Sequence, residues 1–183
     1  ATIIADPLFA GSDTYVTSKI LSRYLSLCSY DAILTGTHAI DGDTSHVPSQ
    51  IAQALDLDHL GNIHAIDSEG FITSHATVVV EDENASTTYE IAMPAVLGLT
   101  REAPYRLPYV RYKNLHLDVS DRMKHISNKD LGFAPAEVGL QGSRTQVVST
   151  YTKVYETREK KIVAPDESGL DVVYAFLQSN GFV

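Results

Sequence analysis

Tryptophan is absent from this chain, and it has one cysteine and two methionines. The lone Cys28 cannot close an internal disulfide. It lies on an apolar helix pattern and reads as a small core residue, so no chemistry is assigned to it. Such sparse cysteine favours a reducing compartment. No run approaches the roughly 18 apolar residues that a membrane-crossing helix needs. Basic residues are also scarce: 14 Lys and Arg face 23 Asp and Glu, a formal net charge of −9. Nucleic-acid binding through phosphates requires a basic face, and this balance argues against it. There is no P-loop, no GxGxxG and no nucleophile elbow. The seven histidines are scattered, and no pair combines helical metal spacing with a carboxylate partner, which argues against zinc. No Ser-His-Asp spacing stands out. The chain reads as a holder of a nucleotide or cofactor rather than a hydrolase.

Its 183 residues, 44% of them hydrophobic, suffice for a single domain with a sizeable core. Ala1–Ala5 reads as a buried strand with no initiator Met or signal peptide before it. The expectation is a fragment, or a protein whose front half was lost. Asp6-Pro7 ends the strand. Gly11-Ser12-Asp13-Thr14 signals a helix start, with Ser12 or Asp13 as the cap. Val16, Ile20, Leu21, Tyr24 and Leu25 then form a stripe at helical spacing. Ala32–Gly36 is a second strand. Pro48 suits the first turn of a second helix, whose buried face carries Ile51 and Leu55. This β-α-β-α order predicts a parallel sheet.

After Gly61 the rhythm changes. Ile63–Ile66, Ile72–Val80 and Thr87–Met93 read as strands of an antiparallel ribbon. Turns at Asp67-Ser68-Glu69-Gly70 and Glu81-Asp82-Glu83-Asn84 separate them. Pro94–Leu99 is apolar again and should re-enter the sheet. From Arg101 to Gln146 no period survives, as in a binding arm or a disordered segment. Gly169–Gln178 is a final helix with Leu170, Val173, Tyr174 and Leu177 inward and Gly181 as its stop.

The loop Gly36–Val47 is the strongest site candidate: Gly36, Thr37, His38, Ala39, Ile40, Asp41, Gly42, Asp43, Thr44, Ser45, His46 and Val47. It lies between a strand and a helix N-terminus, where parallel sheets bind phosphate-bearing ligands. Gly36 and Gly42 permit close backbone approach, and Thr44 and Ser45 add hydroxyl donors. Asp41 and Asp43 suit acceptance of loop N–H groups, which would fix the loop's shape. A tight turn with an Asx cap explains the same residues, and a divalent-ion site on the two aspartates is a third possibility. One unit earlier, Asp6–Thr17 occupies the equivalent place, and Thr14 and Thr17 share a helix face. They could donate hydroxyls to the same ligand, but on the residues alone an exposed first turn is the favoured account.

Two longer motifs add a resemblance. ADPLFAGSDTYVTS (Ala5–Ser18) and ILTGTHAIDGDTSHVPSQIA (Ile33–Ala52) resemble, in order and separation, conserved motifs of the beta subunit of electron transfer flavoproteins. EIAMPAVLGLTREAPYRLP (Glu90–Pro108) and GSRTQVVS (Gly142–Ser149) extend the likeness over nearly the whole chain. The resemblance implies an adenine-nucleotide α-hydrolase-like (Rossmann-like) parallel sheet with helices on both sides, plus the antiparallel ribbon and an extended arm at 101–146. It also implies AMP or a second FAD in the beta subunit, a FAD shared with an alpha subunit, and electron passage from flavin-dependent dehydrogenases. The cofactor role would fall on Asp6, Thr14, Thr17 and Gly36–Val47, and partner docking on Leu107-Pro108. A cytoplasmic or, in a eukaryote, mitochondrial-matrix location follows. Against the family pattern, His46 stands for Gln, Pro48-Ser49 for Gly-Pro and Pro7 for Arg. The lysine run after the Leu-Pro anchor is absent, and the first family motifs have no counterpart before Ala1. A stand-alone adenine-nucleotide regulator of the universal-stress type and a structural remnant that binds nothing are the rival readings.

Overall fold

The computed structural model describes residues 1–39, 42, 44–71, 74–82, 85–106, 108–152 and 160–182. Ile40, Asp41, Asp43 and Leu107 of the expected site, and Ile72, Thr73, Glu83 and Asn84 of the expected ribbon, lie outside the described residues. The chain forms two compact units, Ala1–Gln146 and Val147–Val183.

The first unit is mixed α/β. Strand β1 (Thr2–Ile4) pairs in parallel with β7 (Lys124–Ile126). It is half-exposed, not buried as its apolar run suggested. A five-stranded sheet has the order β2-β6-β3-β4-β5, built from β2 (Ile33–Gly36), β3 (Asp58–Phe71), β4 (His75–Glu81), β5 (Ser86–Ala92) and β6 (Ala95–Leu99). Strands β2, β6 and β3 run parallel, and β4 and β5 continue antiparallel. The apolar run at 95–97 is buried completely, as a strand with neighbours on both edges and cover on both faces requires.

Helix α1 (Thr14–Leu25) connects β1 to β2, and α2 (His46–Leu55) connects β2 to β3. Asp13, rather than Ser12, caps α1 by accepting the Val16 N–H. Apolar positions on two sides of α1 serve two clusters. Val16 and Ile20 pack with Ile126, Leu131 and Val138. Leu21 and Leu25 pack with Ile33, Ile51, Ala52 and Val96 beneath α2. The predicted stripe is real, but it splits between two packing partners.

Several expectations are corrected. The Asp67–Gly70 turn signal lies inside β3, where a register shift between Ile66 and Phe71 absorbs the extra residues. Polar residues here mark a bulge rather than a reversal. Cys28 follows the end of α1 and is half-buried, not core, with its thiol on the Tyr24 carbonyl at 3.4 Å. The stretch 101–146 is only partly without regular structure. It contributes β7, α3 (Asn128–Leu131) and α4 (Gly139–Gly142), and its Ile126, Leu131 and Val138 are core residues. Elements of three or four residues are too short to display a period.

In the second unit, α5 (Glu167–Ser179) is capped by Asp166, which accepts the Gly169 N–H, and Gly181 follows it at φ 73°. The inward assignment fails here: Leu170, Val173 and Tyr174 are 68%, 42% and 59% exposed. A helical stripe shows which face is apolar, but burial also needs a covering element.

Candidate functional site

Strands β2 and β6 end level with one another, with Gly36 opposite Leu99. Beyond these carboxyl ends the chain diverges, as it does at the ligand crevice of open parallel sheets. The opening is a cavity of about 800 Å³ lined by Leu34–His38 on one side and by Leu99–Arg101, Ala103, Tyr105 and Arg106 on the other.

Its rim is fixed by local bonds. Thr100 donates its N–H to the Ile63 carbonyl at 2.9 Å, and Ala103 turns back onto the Thr100 carbonyl at 3.3 Å. The Tyr105 hydroxyl accepts the Ile66 N–H at 2.7 Å and lies 3.1 Å from the Ile66 carbonyl, which ties the loop to β3. Arg106 donates to the Ala103 carbonyl at 2.8 Å. The Thr37 hydroxyl lies 3.1 Å from His38 Nδ1. Two features suit a phosphate-bearing ligand. Thr100 Oγ1 is buried without a hydrogen-bond partner. No atom lies within 4 Å of where a Gly36 Cβ would stand, so a ligand can reach that backbone. Two guanidiniums and the hydroxyls of Thr37 and Thr100 give a donor set of the kind that phosphate oxygens accept from, while Thr35 donates to the Leu97 carbonyl at 3.5 Å.

Gly36, Thr37 and His38 are the expected site residues that line this cavity. His46 opens α2, Ser45 sits at its N-cap without a side-chain cap bond, and Val47 packs in the cluster beneath α2. Thr14 and Thr17 lie in the first turns of α1, away from the cavity lining. Asp6 is a clamp: its carboxylate accepts the N–H groups of Leu8 and Asn128, both at 2.9 Å. Those two bonds hold its pKa below the ordinary carboxylate value. Asp13 is likewise committed. Burial pushes its pKa up, but bonds from Val16, Thr145 and Arg144 outweigh this and leave it lowered. Among the described residues no group of three or more His, Cys, Asp or Glu could hold a metal, and no helix is long and apolar enough to cross a membrane.

The sequence reading missed Thr100, Arg101, Tyr105 and Arg106. The signal was present: PAVLGL is a strand, and the residues after it stand at the same carboxyl edge as Gly36.

A parallel sheet with helices against it, ending in a crevice lined by hydroxyls and guanidiniums, places the chain among α/β proteins of the open-sheet class. Comparison with known proteins makes this specific. The chain belongs to the electron transfer flavoprotein family, whose domain matches residues 1–104. Within the family its likeness is to beta subunits. It is 33% identical over 158 residues to an electron transfer flavoprotein subunit beta of Thermoanaerobacterium thermosaccharolyticum, covering 83% of this chain and 57% of the relative. It is 31% identical over 156 residues to the caffeyl-CoA reductase-Etf complex subunit CarD of Acetobacterium woodii, with shares of 83% and 57%. Protein FixA of Rhizobium meliloti is 30% identical over 167 residues, with shares of 88% and 56%. The chain thus spans a little over half the length of these relatives.

Proposed function

We propose that this chain acts as the beta-type part of an electron transfer flavoprotein and holds an adenine nucleotide, AMP or a second FAD, at the crevice beyond β2 and β6. The observation that carries the reading is the buried, unpartnered Thr100 hydroxyl in a cavity that also presents Gly36, Thr37 and two arginines. The exposed backbone at Gly36 admits close approach of a phosphate. Thr37 and Thr100 donate hydroxyls, and Arg101 and Arg106 offset the negative charge. By family motif the rest of the loop 39–47 extends this pocket and Thr14 and Thr17 add hydroxyls from the start of α1, while Asp6 shapes that edge by holding Leu8 and Asn128. Leu107-Pro108 anchors a flavin-dependent dehydrogenase. An alpha subunit shares the redox FAD, which supplies the electron chemistry when bound; this chain binds, orients and sets the local field. The complex named in the CarD description supports such an assembly.

The test is nucleotide content. The chain, co-purified with an alpha-type subunit, is denatured and its extract analysed for AMP and FAD, with equilibrium dialysis against each. The expected result is one FAD plus either AMP or a second FAD per heterodimer. An extract without flavin or adenine nucleotide, together with no uptake on dialysis, overturns the reading.

A further inference from the structure

A second cavity, of about 960 Å³, lies between α1, α2 and the segment from Gly132 to Arg144, and shares no lining residue with the crevice beyond β2 and β6. Along α1 it is lined by Tyr15, Ser18, Lys19, Ser22, Arg23 and Ser26. Its floor holds two polar atoms that the fold leaves unused. Ser22 is 5% exposed, and its hydroxyl has no hydrogen-bond partner. The adjacent serines differ: Ser18 and Ser26 return their hydroxyls to the carbonyls of Tyr15 and Arg23, each at 2.8 Å. Across the groove, Gln50 Oε1 is also buried and unpartnered. Leaving a buried polar group unpaired costs about 1–3 kcal/mol, so two such atoms on one cavity floor point to a polar occupant.

The rim indicates its charge. Tyr15, Lys19 and Arg23 are four residues apart and stand in one row along α1, about 6 Å per step. The Arg144 guanidinium stacks on the Tyr15 ring, 3.8 Å from its centre. Lys19 pairs with Glu137 at 3.1 Å. Arg23 uses its Nε–H on the Leu131 carbonyl at 3.2 Å. Three cations thus face one carboxylate, in a protein of net charge −9. The placement of Arg144 is built in, because Asp13 accepts its backbone N–H at 2.8 Å.

We propose that this groove is a second binding site, for a small phosphate-bearing anion, with the phosphate at Arg144 and Arg23, a phosphate oxygen accepting from the Ser22 hydroxyl, and a ligand or phosphate O–H donating to Gln50 Oε1. The volume suits a ligand up to nucleotide size. Free phosphate and a phosphate ester share this chemistry.

The experiment is calorimetric titration of the folded chain with inorganic phosphate, pyrophosphate and AMP, repeated on Arg144→Gln, Arg23→Gln, Ser22→Ala and, as a control at the other crevice, Arg101→Gln. The expected result is binding of at least one probe that weakens with salt and falls about tenfold or more in Arg144→Gln and in Arg23→Gln, yet persists in Arg101→Gln. Ser22→Ala weakens binding while its melting temperature stays level or rises, a split that a purely structural serine would not produce. Phosphate bound as tightly as AMP assigns the free anion; tighter AMP assigns the ester; either supports the site. No binding of any probe, or binding indifferent to both groove arginines, overturns it. Binding lost only in Arg101→Gln also overturns it and leaves the proposed cofactor crevice standing.

Discussion

Asp13 joins the start of α1 to a segment far along the chain. Its Oδ1 accepts the Val16 N–H at 2.9 Å and so caps α1. Its Oδ2 accepts the N–H groups of Arg144 and Thr145, at 2.8 and 2.9 Å, and the Thr145 hydroxyl at 3.1 Å. Its own N–H donates to Ser143 Oγ at 2.9 Å. One carboxylate therefore starts a helix and fastens a segment about 130 residues downstream. Asp13→Asn keeps the shape and removes this arrangement. An amide offers one oxygen, so either the cap survives with an NH₂ facing two N–H donors, or the tether survives and the cap is lost. The cap is worth about 1 kcal/mol. Charged bonds to the tether add roughly 1–2 kcal/mol after allowance for partial solvent screening. The expected loss is about 2–3 kcal/mol, or about 4–12 °C in Tm for a chain of this size. Urea denaturation followed by circular dichroism measures it. Asp166→Asn is the comparison, since Asp166 caps α5 without a distant tether and its replacement should cost less. Asp13→Asn within about 0.5 kcal/mol of the parent, or no worse than Asp166→Asn, refutes the reasoning.

Three more outcomes are expected. Gly139→Ala should destabilise by at least about 2 kcal/mol in the same assay, because φ is +59° there and a Cβ would meet the Leu8 carbonyl. Thr100→Val removes a buried, unpartnered hydroxyl. It should leave Tm level or higher yet weaken AMP or FAD binding about tenfold in equilibrium dialysis; unchanged affinity would separate Thr100 from the ligand. On acidification, Asp6, whose pKa is lowered by the Leu8 and Asn128 N–H groups, and Asp130, lowered by the Ser127 N–H and hydroxyl, both act in one direction. Carboxylates with depressed folded pKa values stabilise fully above the unfolded value near 4 and lose that contribution as pH falls through the folded one. Stability should therefore be flat in this respect down to about pH 5 and decline below about pH 4, less steeply in Asp6→Asn.

Local signals carried much of the fold. Gly11–Thr14 marked the α1 start because capping is a contact between near neighbours. Ile33-Leu34 and Ala95–Leu97 were legible as strands because parallel strands buried on both faces are continuously apolar. The signals that failed depend on partners. Asp67–Gly70 has turn composition, and only pairing with β4 makes it a bulge. Leu170 and Tyr174 lie on an apolar helix face, and composition does not state whether anything covers it.

The site divides along the same line. Gly36–His38 were found because a strand, a glycine and a helix start follow one another in sequence. Thr100 and the two arginines were not, because 62 or more residues separate them from their neighbours across the cavity. Three strands, β3 to β5, intervene before β6 returns to lie beside β2 with Gly36 opposite Leu99. Once PAVLGL is read as a parallel strand, its carboxyl end must open on the same edge as that of β2, since parallel neighbours share direction. The residues that follow it are then site candidates on geometry alone. The same logic gives Asp6, expected at the cofactor, a structural task like that of the capping Asp13. Both sit beside β1, at an edge of the kind that binds ligands, and their oxygens accept distant N–H groups, from Asn128 and from Arg144 and Thr145. A carboxylate near a strand end binds a ligand only if the rest of the chain leaves it free, and that is decided by residues more than a hundred positions away.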